Sequence, residues 1–141
     1  MDKIRVLFVC VHNSARSQMA EAFLKKHGGD RFEVESAGIE PGRLNPLAVA
    51  VMKEIRLDIS QNKTKSVMDY FKQGKRYDYV ITVCDESQSE RCPVFPGRAQ
   101  KLHWNFEDPS SFQGMWEDRV RRTREVRDRI EERVKDWLES L

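Results

Sequence analysis

The sequence has no apolar run long enough to cross a bilayer. The longest, Val6 to Val11, falls far short of the roughly 20 residues that a spanning helix needs. The start, Met1-Asp2-Lys3-Ile4-Arg5, leads straight into that run, without the small-residue cleavage site and polar spacer of a secretory leader. A cytoplasmic location is therefore expected. Charge of one sign is also lacking: 25 Lys and Arg against 23 Asp and Glu leave a formal net charge of +2. The basic side chains are scattered among acids, which argues against nucleic acid or a membrane surface as partner. Cysteine is scarce, with three residues. An odd, small number of thiols in a reducing compartment points to reactivity or metal binding before structural disulfides. No internal repeat, low-complexity tract or linker divides the 141 residues, so one domain over 1–141 is expected. A chain of that length buries roughly two-thirds of its unfolded surface without needing staples.

What is present is an alternation of strand and helix patterns. Ile4 to Val9 is nearly continuous in branched apolar residues, as in a strand buried on both faces of a parallel sheet. From Ser17 to about His27 the pattern becomes helical, with Met19, Ala20, Phe23 and Leu24 on one face, and Gly28-Gly29 stops it. Phe32 to Glu35 alternates as a second strand. Asn45-Pro46 supplies an N-cap and first turn for a helix with Leu47, Val51, Met52 and Ile55 inward. Ser66 and Asp69 have the spacing of a capping box for a third helix through Phe71. Tyr77 to Val83 reads as the third strand and Ala99 to Trp104 as the fourth. From Trp116 to the end, Trp116, Val120, Thr123, Val126, Ile130, Val134, Trp137 and Leu141 repeat near helical period above a solvated, charged face. These elements predict an α/β fold: a four-stranded parallel sheet, order 2-1-3-4, with helices on both faces. Ligands bind such sheets beyond the carboxyl ends of the strands, at the switch point of strand order. Cys10 ends the first strand and Cys84 the third, so the topology brings both to one crevice.

The segment Cys10-Val11-His12-Asn13-Ser14-Ala15-Arg16-Ser17 joins a strand to a helix and spaces Cys and Arg by five residues. A loop of that length can curl until its backbone N–H groups converge on a tetrahedral oxyanion, aided by the positive end of the following helix. Arg16 can fork onto two anion oxygens, and the remaining loop residues, Val11 through Ala15 with Ser17, complete the substrate cradle. Cys10 sits where its thiolate attacks the central atom, and the features that hold the anion also hold the thiolate. The plainer alternative is a buried, inert cysteine. His12 shapes the loop or faces solvent, and Asn13 suits a left-handed backbone position. Cys84 and Cys92 with His103 lack the tight spacing of common zinc sites, so no metal is expected. They could be inert small hydrophobes, but the polar stretch Asp85 to Arg91 argues against deep burial. Asp108, before Pro109, is either a general acid or an N-cap.

At these residues a resemblance becomes definite. Cys10 to Arg16 followed by Ser17-Gln18-Met19-Ala20-Glu21 resembles the thioredoxin-coupled arsenate reductases, which share the fold of low-molecular-weight protein tyrosine phosphatases. So do Ser36-Ala37-Gly38-Ile39-Glu40, Leu44-Asn45-Pro46, Leu57-Asp58-Ile59-Ser60, His103-Trp104-Asn105-Phe106-Glu107-Asp108-Pro109 and Arg124-Glu125-Val126-Arg127-Asp128. The resemblance implies arsenate as substrate, with phosphate or sulfate as competing oxyanions. It implies Cys10 as nucleophile, Arg16 as anion clamp, Asp108 as acid, and a relay through Cys84 and Cys92. The resulting disulfide would be reduced by thioredoxin, with no bound cofactor; a monomer is expected. The phosphatases usually place Tyr after the acid's Asp-Pro, where this chain has Ser110, and a second Cys in the loop, where it has Ala15. The Cys84–Cys92 spacer is one residue longer than the family pattern. Some members hold potassium through residues matching Asn13, Glu21 and Ser36 plus an Asp. Here Ser66 stands beside Lys65 instead, so potassium is not expected, and a Lys65 ammonium is an alternative occupant. Competing functions are a phosphatase acting on phosphotyrosine or a small ester, and a non-enzymatic oxyanion sensor or thiol-redox module. A short helix is expected over residues 85–91. It would hold the two cysteines about 12 Å apart, beyond the roughly 7 Å that a disulfide spans, so it must unwind in each cycle.

Overall fold

Val6, Leu7, Phe8 and Val9 are all fully buried, because the strand that carries them lies inside the sheet with a neighbour on each side. The computed structural model describes residues 2–84 and 90–141. Its strands are β1 (Ile4–Cys10), β2 (Phe32–Gly38), β3 (Tyr79–Thr82) and β4 (Gln100–His103). They form one four-stranded sheet in the order β2-β1-β3-β4, every pair parallel. The helices are α1 (Arg16–Gly28), α2 (Pro46–Glu54), α3 (Val67–Lys72) and α4 (Trp116–Ser140). The expected α/β architecture and strand order are those observed.

Alternation along the strands divides the core between the two faces. Val6, Phe8 and Cys10 pack with Ile81 and Trp104 against Phe23 and Leu24 of α1, Val51 of α2 and Ile130 of α4. Leu7 and Val9 pack on the other face with Val67 of α3, Tyr77, Val80, Cys92 and Phe95. On α4 the buried apolar positions are Val126, Ile130 and Val134, while Trp116 and Leu141 at its ends stand exposed. Arg127 clamps α4 to α2 by donating to the Val51 carbonyl at 2.8 Å and to Glu54 at 2.9 Å. Among the described residues no helix is long and apolar enough to cross a membrane.

Local chemistry explains where the elements start and stop. Asn45 caps α2, its side chain accepting from the Leu47 N–H at 2.8 Å. The capping box expected at Ser66 does not form: Ser66 makes no side-chain cap bond. Its backbone is extended and bridges to Gly38 instead, so its geometry is set by the sheet edge. β3 begins later than Tyr77 because the Asp78 carboxylate takes the Arg5 N–H at 2.8 Å, in place of a strand carbonyl. The short helix expected over 85–91 falls largely on residues 85–89, outside the described residues; Glu90 and Arg91 form a turn.

Candidate active site

The loop from Cys10 to Arg16 is curled by its carbonyls. Those of Cys10, Val11, His12 and Ser14 accept from the N–H groups of Ile39, Glu40, Gly42 and Asn45, at 3.0, 2.7, 3.0 and 2.9 Å. In a planar trans peptide the C=O and the next N–H point opposite ways. Pulling four carbonyls outward therefore turns the N–H groups of Val11, His12, Asn13 and Ala15 toward the inside of the curl. The Asn13 N–H shows the direction: it donates to Cys10 Sγ at 3.1 Å. Gly38 makes this approach possible. A Cβ there would meet the Asn13 nitrogen and the His12 carbonyl carbon, each at 2.8 Å, closer than carbon can come without displacing the loop.

Cys10 is 2% exposed, and its Sγ lies 2.8 Å from Ser17 Oγ. Behind the thiol, Asn13 holds the left-handed backbone position at φ 55° and spends its whole side chain on neighbours. Its Nδ2 donates to Ser17 Oγ at 2.7 Å and to Ser36 Oγ at 3.0 Å. Its Oδ1 accepts from the Lys65 N–H at 3.0 Å and from Gln18 Nε2 at 3.1 Å. Gln18, fully buried, also donates to the Asn13 and Lys63 carbonyls. Ser36 donates to Glu21 Oε1 at 2.5 Å, and the Lys65 ammonium stands 3.4 Å from Ser36 Oγ and 3.6 Å from Glu21. The Lys65 ammonium thus stands beside the Ser36–Glu21 pair. The scaffolding contacts of Gln18 and Gly38 were not read from the sequence, where only the motif around each was visible, whereas Lys65 stands where the sequence offered its ammonium as an occupant.

Arg16 is buried, 4% exposed, at the first position of α1. Its guanidinium donates to the Phe106 carbonyl at 3.1 Å and lies 3.4 Å from the Asp108 carboxylate. Asp108 meets both readings of its sequence context. Its Oδ1 caps the 3₁₀ turn Pro109–Ser111 by accepting from the Ser110 N–H at 3.0 Å, while Oδ2 faces Arg16 at the rim of the loop. A recess lined by His12, Ser14, Arg43, Asn45, Ser110 and Arg119 opens beside it. His12 is exposed, its Nδ1 2.8 Å from the Glu40 carbonyl oxygen.

Cys84 follows β3 by two residues and is fully buried; Cys92 is 4% exposed. This corrects the expectation that the polar stretch between them keeps both near the surface. Each packs into an apolar cluster, Cys84 on the face of Cys10 and Cys92 on the face of Val80 and Phe95. All three cysteines are unbridged. Burial pushes the Cys92 thiol up to about 11, the nearby Lys101 ammonium opposing and Cys84 adding to the rise. Its S–H faces the Pro93 carbonyl at 3.6 Å. An exposed thiol ionises near 8.5, so rising pH favours any opening that frees Cys92 until the buried group itself ionises. Alkylation of Cys92 should therefore keep accelerating toward pH 11 in the folded protein. In urea it should level off above about pH 9, the range of free thiols; matching profiles would contradict the burial.

This geometry matches known proteins closely. The model of the low molecular weight phosphotyrosine protein phosphatase family matches residues 5–141. The chain belongs to that family. An arsenate reductase of Halalkalibacterium halodurans is 40% identical over 140 residues, covering 99% of each chain. A solved arsenate reductase in the phosphate-binding state is 32% identical with a TM-score of 0.74, covering 97% of this chain and 98% of that one. The thioredoxin-dependent arsenate reductase of Corynebacterium glutamicum is 30% identical with a TM-score of 0.75, covering 98% of this chain and 61% of that one.

Proposed function

We propose that this protein reduces arsenate to arsenite, using Cys10 as nucleophile and passing the oxidation to Cys84 and Cys92. The observation that carries the reading is a buried thiol inside an inward-facing amide curl, with Cys84 just past the neighbouring strand and Cys92 buried on the sheet's other face, in a chain 40% identical to an arsenate reductase along its length. The loop amides and Arg16 hold the anion. The Cys10 thiolate forms a bond to arsenic, and the departing oxygen takes a proton from Asp108. Cys84 then attacks the Cys10 sulfur. A sulfur–sulfur bond forms, the sulfur–arsenic bond breaks, and its electron pair stays on arsenic as arsenite. Cys92 displaces Cys10 from Cys84, and an external dithiol reduces the Cys84–Cys92 disulfide. Thioredoxin fits that last role, given the dependence of the Corynebacterium relative. Three cysteines kept as thiols suit a reducing, cytoplasmic compartment.

The test is arsenate-dependent NADPH oxidation with thioredoxin and its reductase, run beside hydrolysis of an aryl phosphate. The reductase reading requires arsenate-dependent oxidation. Aryl phosphate hydrolysis without it would make the protein a phosphatase, and neither would leave an oxyanion-binding module. In the same assay Asp108→Asn should lower the rate by about 10²–10⁴ if the carboxyl is the acid. An amide still caps, so the loss of stability should stay within about 2 kcal/mol. Full activity with a large drop in melting temperature would assign Asp108 to capping alone.

A further inference from the structure

One histidine on the Cys92 side of the sheet has no part in the steps above. His103 ends β4, in register with Thr82 of β3, and its Nδ1 lies 2.7 Å from Thr82 Oγ1. The Thr82 hydroxyl also reaches the Leu102 carbonyl at 3.4 Å. A hydroxyl has one proton. Given to that carbonyl, it leaves Thr82 accepting from Nδ1–H, which puts the imidazole lone pair on Nε2. Nε2 is buried and has no hydrogen-bond partner among the described residues. Such a group in a native fold calls for an explanation, and a catalytic role is one.

The sheet puts His103 on the face of Cys92. Side chains alternate along a strand, so Thr82 shares the side of Val80, which packs in the same cluster as Cys92. On β4, Leu102 and Trp104 join the opposite cluster, leaving Lys101 and His103 on the Cys92 side. Lys101 is close enough to act on the Cys92 thiol. Among the described residues Lys101 and Cys92 share this end and face of the sheet with His103, Cys84 packs on the other face, and Arg91 is engaged by Glu40 at 3.2 Å. The Cys92 thiol is neutral and buried, so its attack needs a local base.

We propose that His103, oriented by Thr82, takes the proton of Cys92 as the disulfide passes from Cys10–Cys84 to Cys84–Cys92. The inference rests on the arsenate reductase reading. In this step the Cys92 S–H bond breaks, with the proton going to Nε2, and the Cys92–Cys84 bond forms. The Cys10–Cys84 bond breaks, and Cys10 leaves as a thiolate received by Ser17 Oγ and the Asn13 N–H. The disulfide moves without net oxidation, and the imidazolium later returns its proton to solvent.

The experiment mixes the reduced full-length protein with arsenate in the absence of thioredoxin, quenches with acid, and maps disulfides by mass spectrometry while measuring arsenite. His103→Asn keeps a side-chain N–H for Thr82 and deletes Nε2. It should release arsenite at the wild-type rate and accumulate the Cys10–Cys84 bridge. Conversion to Cys84–Cys92 should slow by about 10² at pH 7, recovering about tenfold per pH unit as hydroxide replaces the base, and on adding imidazole. Thr82→Val, which frees the ring, should slow the same step without slowing arsenite release. Conversion within about threefold of wild type in both variants with unchanged pH profiles would overturn the proposal, as would equal slowing of both steps. If the wild type itself releases no arsenite, the reductase reading fails, which is a different result.

Discussion

Cys10→Ser is expected to reduce arsenate turnover to less than about one ten-thousandth of the wild-type rate, the scale on which loss of a catalytic nucleophile is felt. Phosphate affinity should change by no more than about threefold, under ~0.7 kcal/mol. The two effects separate because different atoms carry them. Covalent attack needs the sulfur of Cys10. In the proposed mechanism, anion binding rests on Arg16 and on amides whose direction is set by the carbonyl bonds to residues 39–45. A serine hydroxyl can still accept from the Asn13 N–H and pair with Ser17, so the curl keeps its internal contacts. Phosphate titration by calorimetry beside the coupled assay checks both halves. Turnover within tenfold of wild type would eliminate Cys10 as nucleophile.

Cys84→Ser is expected to abolish catalytic arsenite production just as completely, by another route. Arsenate still binds and Cys10 still forms its adduct, but no second sulfur takes the electron-deficient position, and the hydroxyl of serine cannot form a disulfide. Inorganic phosphate binding should be unchanged. Because Cys84 is fully buried among apolar neighbours, the polar replacement should also cost stability, since a hydroxyl is costlier than a thiol to take out of water. Cys84→Ala, which avoids that polar cost, must lose activity equally if the sulfur is what matters. A Cys84→Ala enzyme with sustained arsenite production would remove Cys84 from the relay.

Much of the fold was readable in order along the chain, because its main signals are local. The continuous apolar run of β1, the stop at Gly28-Gly29 and the Asn45-Pro46 cap each depend on a few adjacent residues. Ser66 was misread because its spacing to Asp69 is a local signal, while its backbone is governed by Gly38, a residue distant in sequence. The candidate site divides in the same way. The Cys-to-Arg loop could be seen as a motif, and the strand order brought Cys84 to it. The hydrogen bonds behind the loop could not, because Asn13 with Gln18, Ser36 and Lys65 come from three separate stretches, and only the family resemblance pointed to Lys65 beside Glu21 and Ser36. Gly38 matters through what a side chain would strike across the sheet, which no pattern within its own strand reports. The burial of Cys92 escaped notice because the tract before it is polar, whereas its own neighbours, Val80 and Phe95, lie elsewhere in the sequence.

The relay through three thiols is the central claim, and one turnover without reductant tests it most directly. Fully reduced protein, mixed with arsenate and no thioredoxin, should release one arsenite per chain and lose two hydrogens. Peptide mapping after alkylation should find a Cys84–Cys92 disulfide with Cys10 free. A stable Cys10–Cys84 bridge with Cys92 still free, or arsenite released with all three thiols reduced, would contradict the account.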